Sequence, residues 1–96
     1  MPFVLRNSKT TEVLTTTLIN IYAITYHGAK YWDMREDAER EYVELLAQKQ
    51  IPHPEDWEVI EIEDHQLKVF NVKLKNNPKR KLFVDADGNA SATEQA

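Results

Sequence analysis

Three histidines are the side chains of this sequence best suited to metal binding or proton transfer. His53 stands shortly before two carboxylates, so together with His65 it could supply nitrogen and oxygen ligands to a metal ion. His27, His53 and His65 nevertheless lack the i,i+4 helical spacing of the metalloprotease motifs. All three fall in predicted turns, where a solvated histidine is ordinary. We therefore expect no metal site and no cofactor.

Paired carboxylates are a second source of chemistry, because a positioned Asp or Glu can act as a general acid or base. The candidates lie on a predicted helix and on a predicted strand: Asp37, Glu39, Glu41, Glu44, Glu61 and Glu63. A glycosidase needs two of them facing each other across a cleft, and a chain of 96 residues has little room to enclose one. A solvated helix face explains these charges better, which leaves a small hydrolase as the weakest alternative.

The segment 85–91 alternates acidic and small residues, as calcium-binding loops do. Counted from Asp85, Gly88 is the fourth residue and Glu94 the tenth. An EF-hand loop places its Gly and its Glu two positions later than this. The spacing therefore favours a plain Asp-Gly turn.

Six basic side chains and no acidic ones lie between residues 65 and 84: Lys68, Lys73, Lys75, Lys79, Arg80 and Lys81. They flank a predicted hairpin over 68–81, and a β-ribbon of this kind can lie along nucleic-acid phosphates. Lysines also protect edge strands from aggregation, which is the interpretation we prefer. Binding to an acidic protein patch is a third alternative.

The segment before this basic stretch is strongly acidic. Residues 33–64 hold twelve acids and three bases, and the whole chain has a net charge of −4. Such segregation can mark a charged partner, or two halves of one fold that neutralise each other. Because an acidic surface repels phosphate, we rank nucleic-acid binding through 68–81 below binding to protein.

Aromatic residues bracket a predicted helix. Tyr31 and Trp32 precede it, and Trp57 follows it. Such side chains dominate interface hot spots, so Tyr31 and Trp32 are candidates for a binding surface. Tryptophans equally fill the core between a sheet and a helix, and we expect at least one of the two to do so.

The helix itself is the clearest predicted element. Over residues 33–49, apolar residues recur at helical spacing and form one stripe. Asp33 can cap the first turn, with Glu36 three residues later as in a capping box. Pro52 cannot continue the helix, so we expect it to end near Lys49.

Strands are predicted on both sides of this helix. Residues 3–6 and 11–26 are rich in β-branched and aromatic residues, and the longer run is either a central strand or two strands bent near Asn20. His27-Gly28 predicts a tight hairpin turn. The predicted strands after the helix span 57–63, 67–74 and 82–84.

These elements predict a single two-layer α+β domain over residues 1–86, in the order ββ(β)-α-βββ. One helix packs on an antiparallel or mixed sheet of five or six strands. Residues 87–96 are small and polar, and we expect them to form a disordered tail. A single helix covers one sheet face, so the other face would expose apolar residues. That face predicts self-association, for instance as a homodimer.

A short stretch resembles a known domain. Gly28-Ala29-Lys30-Tyr31-Trp32-Asp33, followed by Arg35-Glu36-Asp37-Ala38-Glu39, is similar to the strand-to-helix corner of the small hybrid-binding domain that precedes some ribonucleases H. The resemblance spans residues 28–39 alone. The family's tryptophan-bearing helix has no counterpart before it, and predicted strands follow where the family's domain ends. No function or residue role is carried over.

The sequence also narrows the class of protein. It has no cysteine, which excludes disulfides and zinc–thiolate sites. No stretch approaches the length of an apolar membrane span, and the first residues do not form a signal peptide, so a cytoplasmic location is expected. The leading functional prediction is a small non-enzymatic interaction protein that binds another protein or itself, without membrane contact.

Overall fold

The computed structural model describes residues 1–94, which form eight strands and two α-helices. A short 3₁₀ turn, Pro54–Asp56, leads into the sixth strand. The elements in chain order are β1 (Phe3–Asn7), β2 (Glu12–Val13), β3 (Thr15–Ile19), β4 (Thr25–Ala29), β5 (Tyr31–Trp32), α1 (Arg35–Gln48), β6 (Trp57–Glu61), α2 (Asp64–Leu74), β7 (Arg80–Val84) and β8 (Ala90–Glu94).

β1 is the central strand of a six-stranded antiparallel sheet. On one side β6 pairs with its whole length, from Phe3 opposite Glu61 to Asn7 opposite Trp57. On the other side the short strands β5 and β2 share it. β2 also pairs with β7, and β7 pairs with β8, so the sheet continues away from β1 in that direction.

β3 and β4 form a separate two-stranded hairpin that extends from this sheet. β2 continues into β3 through Leu14, and β4 continues into β5 through Lys30. The Lys30 N–H donates to the Leu14 carbonyl at 2.9 Å, which closes the base of the hairpin. The base is therefore part of the main fold, and the 20–24 connection lies at the opposite end.

Two apolar cores lie on opposite faces of the main sheet, because successive side chains of a strand point to opposite faces. Val4 of β1 packs in one core with Phe70 and other residues of α2. The next residue, Leu5, packs in the other core with Leu46 of α1. One helix covers each face, and the sheet lies between them.

The prediction of an α+β domain is confirmed, and of the two predicted sheet types the antiparallel one is present, but the prediction of a single helix in two layers is wrong. The segment 67–74, predicted as a strand, lies within α2, so the order ββ(β)-α-βββ is also wrong. A capping box explains the helix start, since the Gln66 side chain accepts a hydrogen bond from the Glu63 N–H at 2.8 Å and Glu63 caps the N3 backbone in return. Phe70 and Leu74 then share one buried face of the helix.

The second helix removes one motive for self-association. The sheet face predicted to be exposed is covered by α2, and its residues Val13, Leu82 and Val84 are buried. Any apolar surface available to a partner therefore lies elsewhere on the molecule.

The predicted helix over 33–49 is confirmed as α1, although its cap differs. Met34, not Asp33, is the N-cap residue, and it makes no side-chain capping bond. Among residues 1–94, neither helix is long and apolar enough to cross a membrane.

The segment predicted to be a disordered tail contains β8. Ala90–Glu94 pairs with β7 over its whole length, from Val84 opposite Ala90 to Arg80 opposite Glu94. Backbone hydrogen bonds hold this strand, and they do not require apolar side chains. Residues 95 and 96 of the predicted tail lie outside the described residues.

Candidate interaction surface

The β3–β4 hairpin is the part of the chain that differs most from the rest in composition. Charged residues make up 29% of the sequence, yet the run from Val13 to Ala29 contains no Asp, Glu, Lys or Arg. The nearest charges along the chain are Glu12 and Lys30, which lie at the base of the hairpin. The hairpin therefore presents an uncharged surface on an otherwise highly charged protein.

The far end of the hairpin, residues 19–24, is called here the hairpin tip. Its four large apolar side chains are all exposed: Ile19 by 69%, Ile21 by 91%, Tyr22 by 76% and Ile24 by 60%. Single exposed apolar residues are ordinary on protein surfaces, whereas four of them within six consecutive residues are not.

Asn20 fixes the backbone of the hairpin tip. Its side-chain Oδ1 accepts hydrogen bonds from the Tyr22 N–H at 2.8 Å and from the Ile24 N–H at 3.1 Å. Its backbone N–H donates to the Ile24 carbonyl, and its carbonyl accepts from Ala23, which adopts a left-handed conformation with φ of 59°. The exposed apolar side chains are therefore displayed on an ordered turn.

The hairpin turn lies at residues 20–24 and not at His27-Gly28, as predicted. His27 and Gly28 are in the middle of β4. Gly28 serves a different purpose, because a Cβ at this position would lie 2.8 Å from Asn71 Oδ1, inside van der Waals contact. The glycine allows α2 to approach the strand closely.

The outer edge of β4, the side that faces away from β3, is covered by asparagines. The Asn71 side chain of α2 accepts a hydrogen bond from the Ala29 N–H at 3.1 Å. Asn76, just after α2, accepts one from the His27 N–H at 2.7 Å. This β4 edge is thus closed to a further strand.

The outer edge of β3 has no such cover. In the hairpin the even-numbered residues bond each other, as the Asn20–Ile24 and Leu14–Lys30 bonds show, so the odd-numbered ones point outward. Within residues 1–94, no hydrogen bond reaches the outward N–H and carbonyl groups of Thr15, Thr17 or Ile19. The β3 edge is an open template for strand pairing.

A positive charge from the end of α1 contacts β3. Lys49 Nζ donates a hydrogen bond to Thr16 Oγ1 at 3.0 Å. It contacts a side chain, so it leaves the backbone groups of the edge free. Lys49 also adds to the electrostatic environment of His27, whose pKa is lowered below 6.5 chiefly by burial and secondarily by this charge, while the Arg80 carbonyl opposes the shift.

The basic residues singled out in the sequence do not form a hairpin. Lys68 and Lys73 lie on α2, Lys75 caps its end, Lys79 lies in the following turn, and Arg80 and Lys81 begin β7. Three of them come together at a shallow cleft beside β8: Lys73, Lys75 and Arg80. Lys81 instead borders a different cleft beside Trp57.

The contacts of Arg80 give this residue a structural role. Its Nε donates to the Lys73 carbonyl at 2.9 Å, and Nη2 donates to the Ala92 carbonyl at 3.1 Å. Positive charge at the C-terminal end of a helix is also favoured by the helix dipole. The Arg80 side chain therefore joins the end of α2 to β8.

The aromatic pair before α1 is largely internal. Trp32 is only 7% exposed and packs in the α1-side core with Trp57, as expected for a core tryptophan. Its Nε1 donates to Glu41 Oε1 at 3.3 Å, and Lys30 Nζ lies 4.9 Å from the ring centroid. Tyr31 is half-buried against the α2-side core. Trp32 thus exposes little of its surface.

The candidate metal ligands stay apart. Within residues 1–94, no group of three or more His, Asp or Glu side chains is placed to hold a metal ion. Asp85 Oδ1 accepts from the Asp87 and Asn89 N–H groups at 2.9 Å each, which builds the turn between β7 and β8. His53 and His65 make exposed contacts with Glu55 and Glu63.

Comparisons of the chain with protein-family models, with curated proteins and with solved structures gave no match.

Proposed function

We propose that this chain is a small non-enzymatic interaction domain that binds another protein, or a second copy of itself, through the hairpin tip. One observation carries the proposal: four large apolar side chains of the tip are exposed by 60% or more. Leaving them in water forgoes roughly 1.5–3 kcal/mol for each side chain that a partner could bury. The cytoplasmic location stays a prediction from the sequence.

The order of the tip supports this role. Asn20 holds the Tyr22 and Ile24 amides, so the turn does not have to be ordered when a partner binds. Isoleucine is stiff at χ1, which further lowers the entropy lost on contact. Tyrosine is among the residues that most often carry binding energy in interfaces.

The basic side chains support a nucleic-acid function less well. The 68–81 segment is a helix, a turn and the start of a strand, so no charged β-ribbon is present there to follow phosphates. Nucleic-acid binding by Lys73, Lys75 and Arg80 stays a prediction. An electrophoretic shift assay at low and high salt would measure it, because phosphate contacts weaken as salt rises.

Site-specific photocrosslinking tests the proposal. A benzoylphenylalanine at position 22 keeps the tip aromatic and should form adducts with a partner in an extract of the native cells, or with a second copy in the purified protein. The same group at Val43, a residue of α1 exposed by 49%, is the matched control. Position 22 should give a discrete adduct that position 43 does not.

A second variant connects the adduct to the apolar tip. In the Ile21→Ser/Ile24→Ser double variant the adduct should be lost, while the free energy of unfolding stays within about 0.5 kcal/mol per site because both side chains are exposed. Equal adduct formation at positions 22 and 43, or an adduct that survives this double substitution, would contradict the proposal.

A further inference from the structure

We infer that the partner at the hairpin is a second copy of this chain, whose β3 pairs antiparallel with β3 along the open edge and extends the hairpin into a four-stranded sheet. This inference rests on the proposed function and specifies its partner and its binding mode.

Between Thr15 and Ile19 the backbone of the edge already has the orientation that this pairing needs. Thr15, Thr17 and Ile19 already point their N–H and carbonyl groups outward. With a two-fold axis at Thr17, that residue faces Thr17 of the second copy, and Thr15 faces Ile19 of the second copy. The two Thr17 residues then exchange both N–H to carbonyl bonds, as hydrogen-bonded antiparallel pairs do. The contact is isologous and closes as a dimer.

The composition of the edge favours a second copy over a charged partner. Edge strands that avoid self-pairing usually carry charges, proline or a bulge. From Val13 to Ala29 the hairpin has no proline and no Asp, Glu, Lys or Arg, so two copies place no like charges opposite each other within the paired strands. Threonine and isoleucine are β-branched, and cross-strand pairs of such residues stabilise sheets.

The same arrangement accounts for the exposed tip. In the antiparallel pair, residues beyond Ile19 run past Thr15 of the second copy toward the base of its hairpin, where the same edge is already paired with β7, so the strand pairing ends there. Ile21 and Tyr22 then lie against protein and not in water. One interface thus uses both unusual features of the hairpin, its open edge and its apolar tip.

Lys49 is a positive charge close to the proposed axis. It is bonded to Thr16 Oγ1, and Thr16 lies diagonally across the two-fold from Thr16 of the second copy. Two ammonium groups therefore approach each other in the dimer. Salt should screen this repulsion and strengthen the dimer, whereas binding to an acidic partner would weaken with salt.

Sedimentation equilibrium of the purified chain, up to about 1 mM, tests the inference. The unmodified chain should dimerise, more tightly at high salt. Thr17→Asp places two carboxylates opposite each other, and Thr17→Pro removes the two central N–H donors, so each should weaken the dimer at least about tenfold. Thr17→Val keeps the strand backbone and its shape, so it should dimerise like the unmodified chain.

Each outcome separates this inference from the function on which it rests. If the chain stays monomeric over the whole concentration range, the partner is not a second copy. An adduct between position 22 and a different protein would still support the proposed function. In a further outcome, Ile21→Ser/Ile24→Ser abolishes the dimer while Thr17→Asp and Thr17→Pro leave it unchanged. That outcome would contradict the strand pairing but not the second copy as partner. If Thr17→Pro does not fold, Thr17→Asp still tests the strand pairing, because it changes only an exposed side chain.

Discussion

The two strands of one hairpin have opposite outer edges. The β4 edge is closed by Asn71 and Asn76, whose side-chain oxygens accept hydrogen bonds from its outward N–H groups. The β3 edge has the same backbone geometry and no partner within the described residues. In this hairpin, a side chain of α2 and one just after it therefore cover one outer edge and leave the other uncovered.

The largest predicted effect comes from removing the close approach that closes the β4 edge. Gly28→Ala places a Cβ 2.8 Å from Asn71 Oδ1, so Asn71 must move and release the buried Ala29 N–H. We expect a loss of about 3 kcal/mol in the free energy of unfolding, from crowding and from the unsatisfied donor together. Urea denaturation followed by circular dichroism measures it. A loss below about 0.5 kcal/mol, the ordinary range for a surface change, would show that α2 does not hold this edge.

Removing the covering side chains directly is the next test. Asn71→Ala leaves the Ala29 N–H, on a fully buried residue, without an acceptor and should cost about 1–3 kcal/mol. Asn76→Ala is the matched control, since its bond to His27 is exposed and water can replace it, so its cost should stay below about 1 kcal/mol. Equal losses of unfolding free energy for the two variants, in the same urea experiment, would contradict the predicted difference between the buried and the exposed hydrogen bond.

The α2–hairpin contact could not be predicted from the sequence. Asn71 lies 42 residues from Ala29, and Asn76 lies 49 residues from His27, so no local pattern connects them. The segment that carries Asn71 was predicted as a strand because Phe70, Val72 and Leu74 alternate. Val72 is 73% exposed, and the decisive sequence feature was the Glu63–Gln66 capping box.

Features determined by local patterns were easier to predict. α1 follows from its helical spacing and from the proline after it, and it forms where expected. For the 11–26 run the sequence left two alternatives, and the bend near Asn20 is the one that the structure contains. β8 was missed because its small polar residues pair through the backbone.

The uncharged run that forms the hairpin is visible in the sequence from Val13 to Ala29. Whether its apolar residues are buried or exposed depends on the location of the turn. With a turn at His27-Gly28, the isoleucines of the run belong to a central strand and are buried. With the turn at Asn20, Ile21 and Tyr22 are at the tip and are exposed.

Acid should weaken the folded chain in a defined pH range. Burial lowers the pKa of His27 below 6.5, with Lys49 acting in the same direction, so the folded chain holds the neutral ring while the unfolded chain takes up a proton. The stability that His27 contributes is fully present above pH 6.5, the pKa of the unfolded chain. It is lost as the pH falls through the lower pKa of the folded chain. His27→Gln removes the titration.

Urea denaturation at several pH values between about 7.5 and 5 compares the two proteins. The unmodified chain should lose more stability over this interval than His27→Gln, and the other titrating groups are common to both. Parallel pH profiles would show that the His27 ring is not shielded from water.

The smallest predicted effect concerns the open edge. Lys49→Gln removes one positive charge from each side of the proposed axis, which should tighten the dimer about two- to fivefold at low salt. The difference should disappear at high salt, where the charges are screened. Weaker dimerisation of this variant in sedimentation equilibrium would place Lys49 away from the axis or against an acidic group.

Amide hydrogen exchange followed by NMR compares the two edges most directly. The His27 and Ala29 amides should be protected at every protein concentration, because side chains of the same molecule hold them. The Thr15, Thr17 and Ile19 amides should exchange rapidly in dilute solution and become protected as the concentration rises toward about 1 mM. Fast exchange of the Thr17 amide at all concentrations would contradict pairing with a second copy. Fast exchange of the Ala29 amide would contradict the closure of the β4 edge.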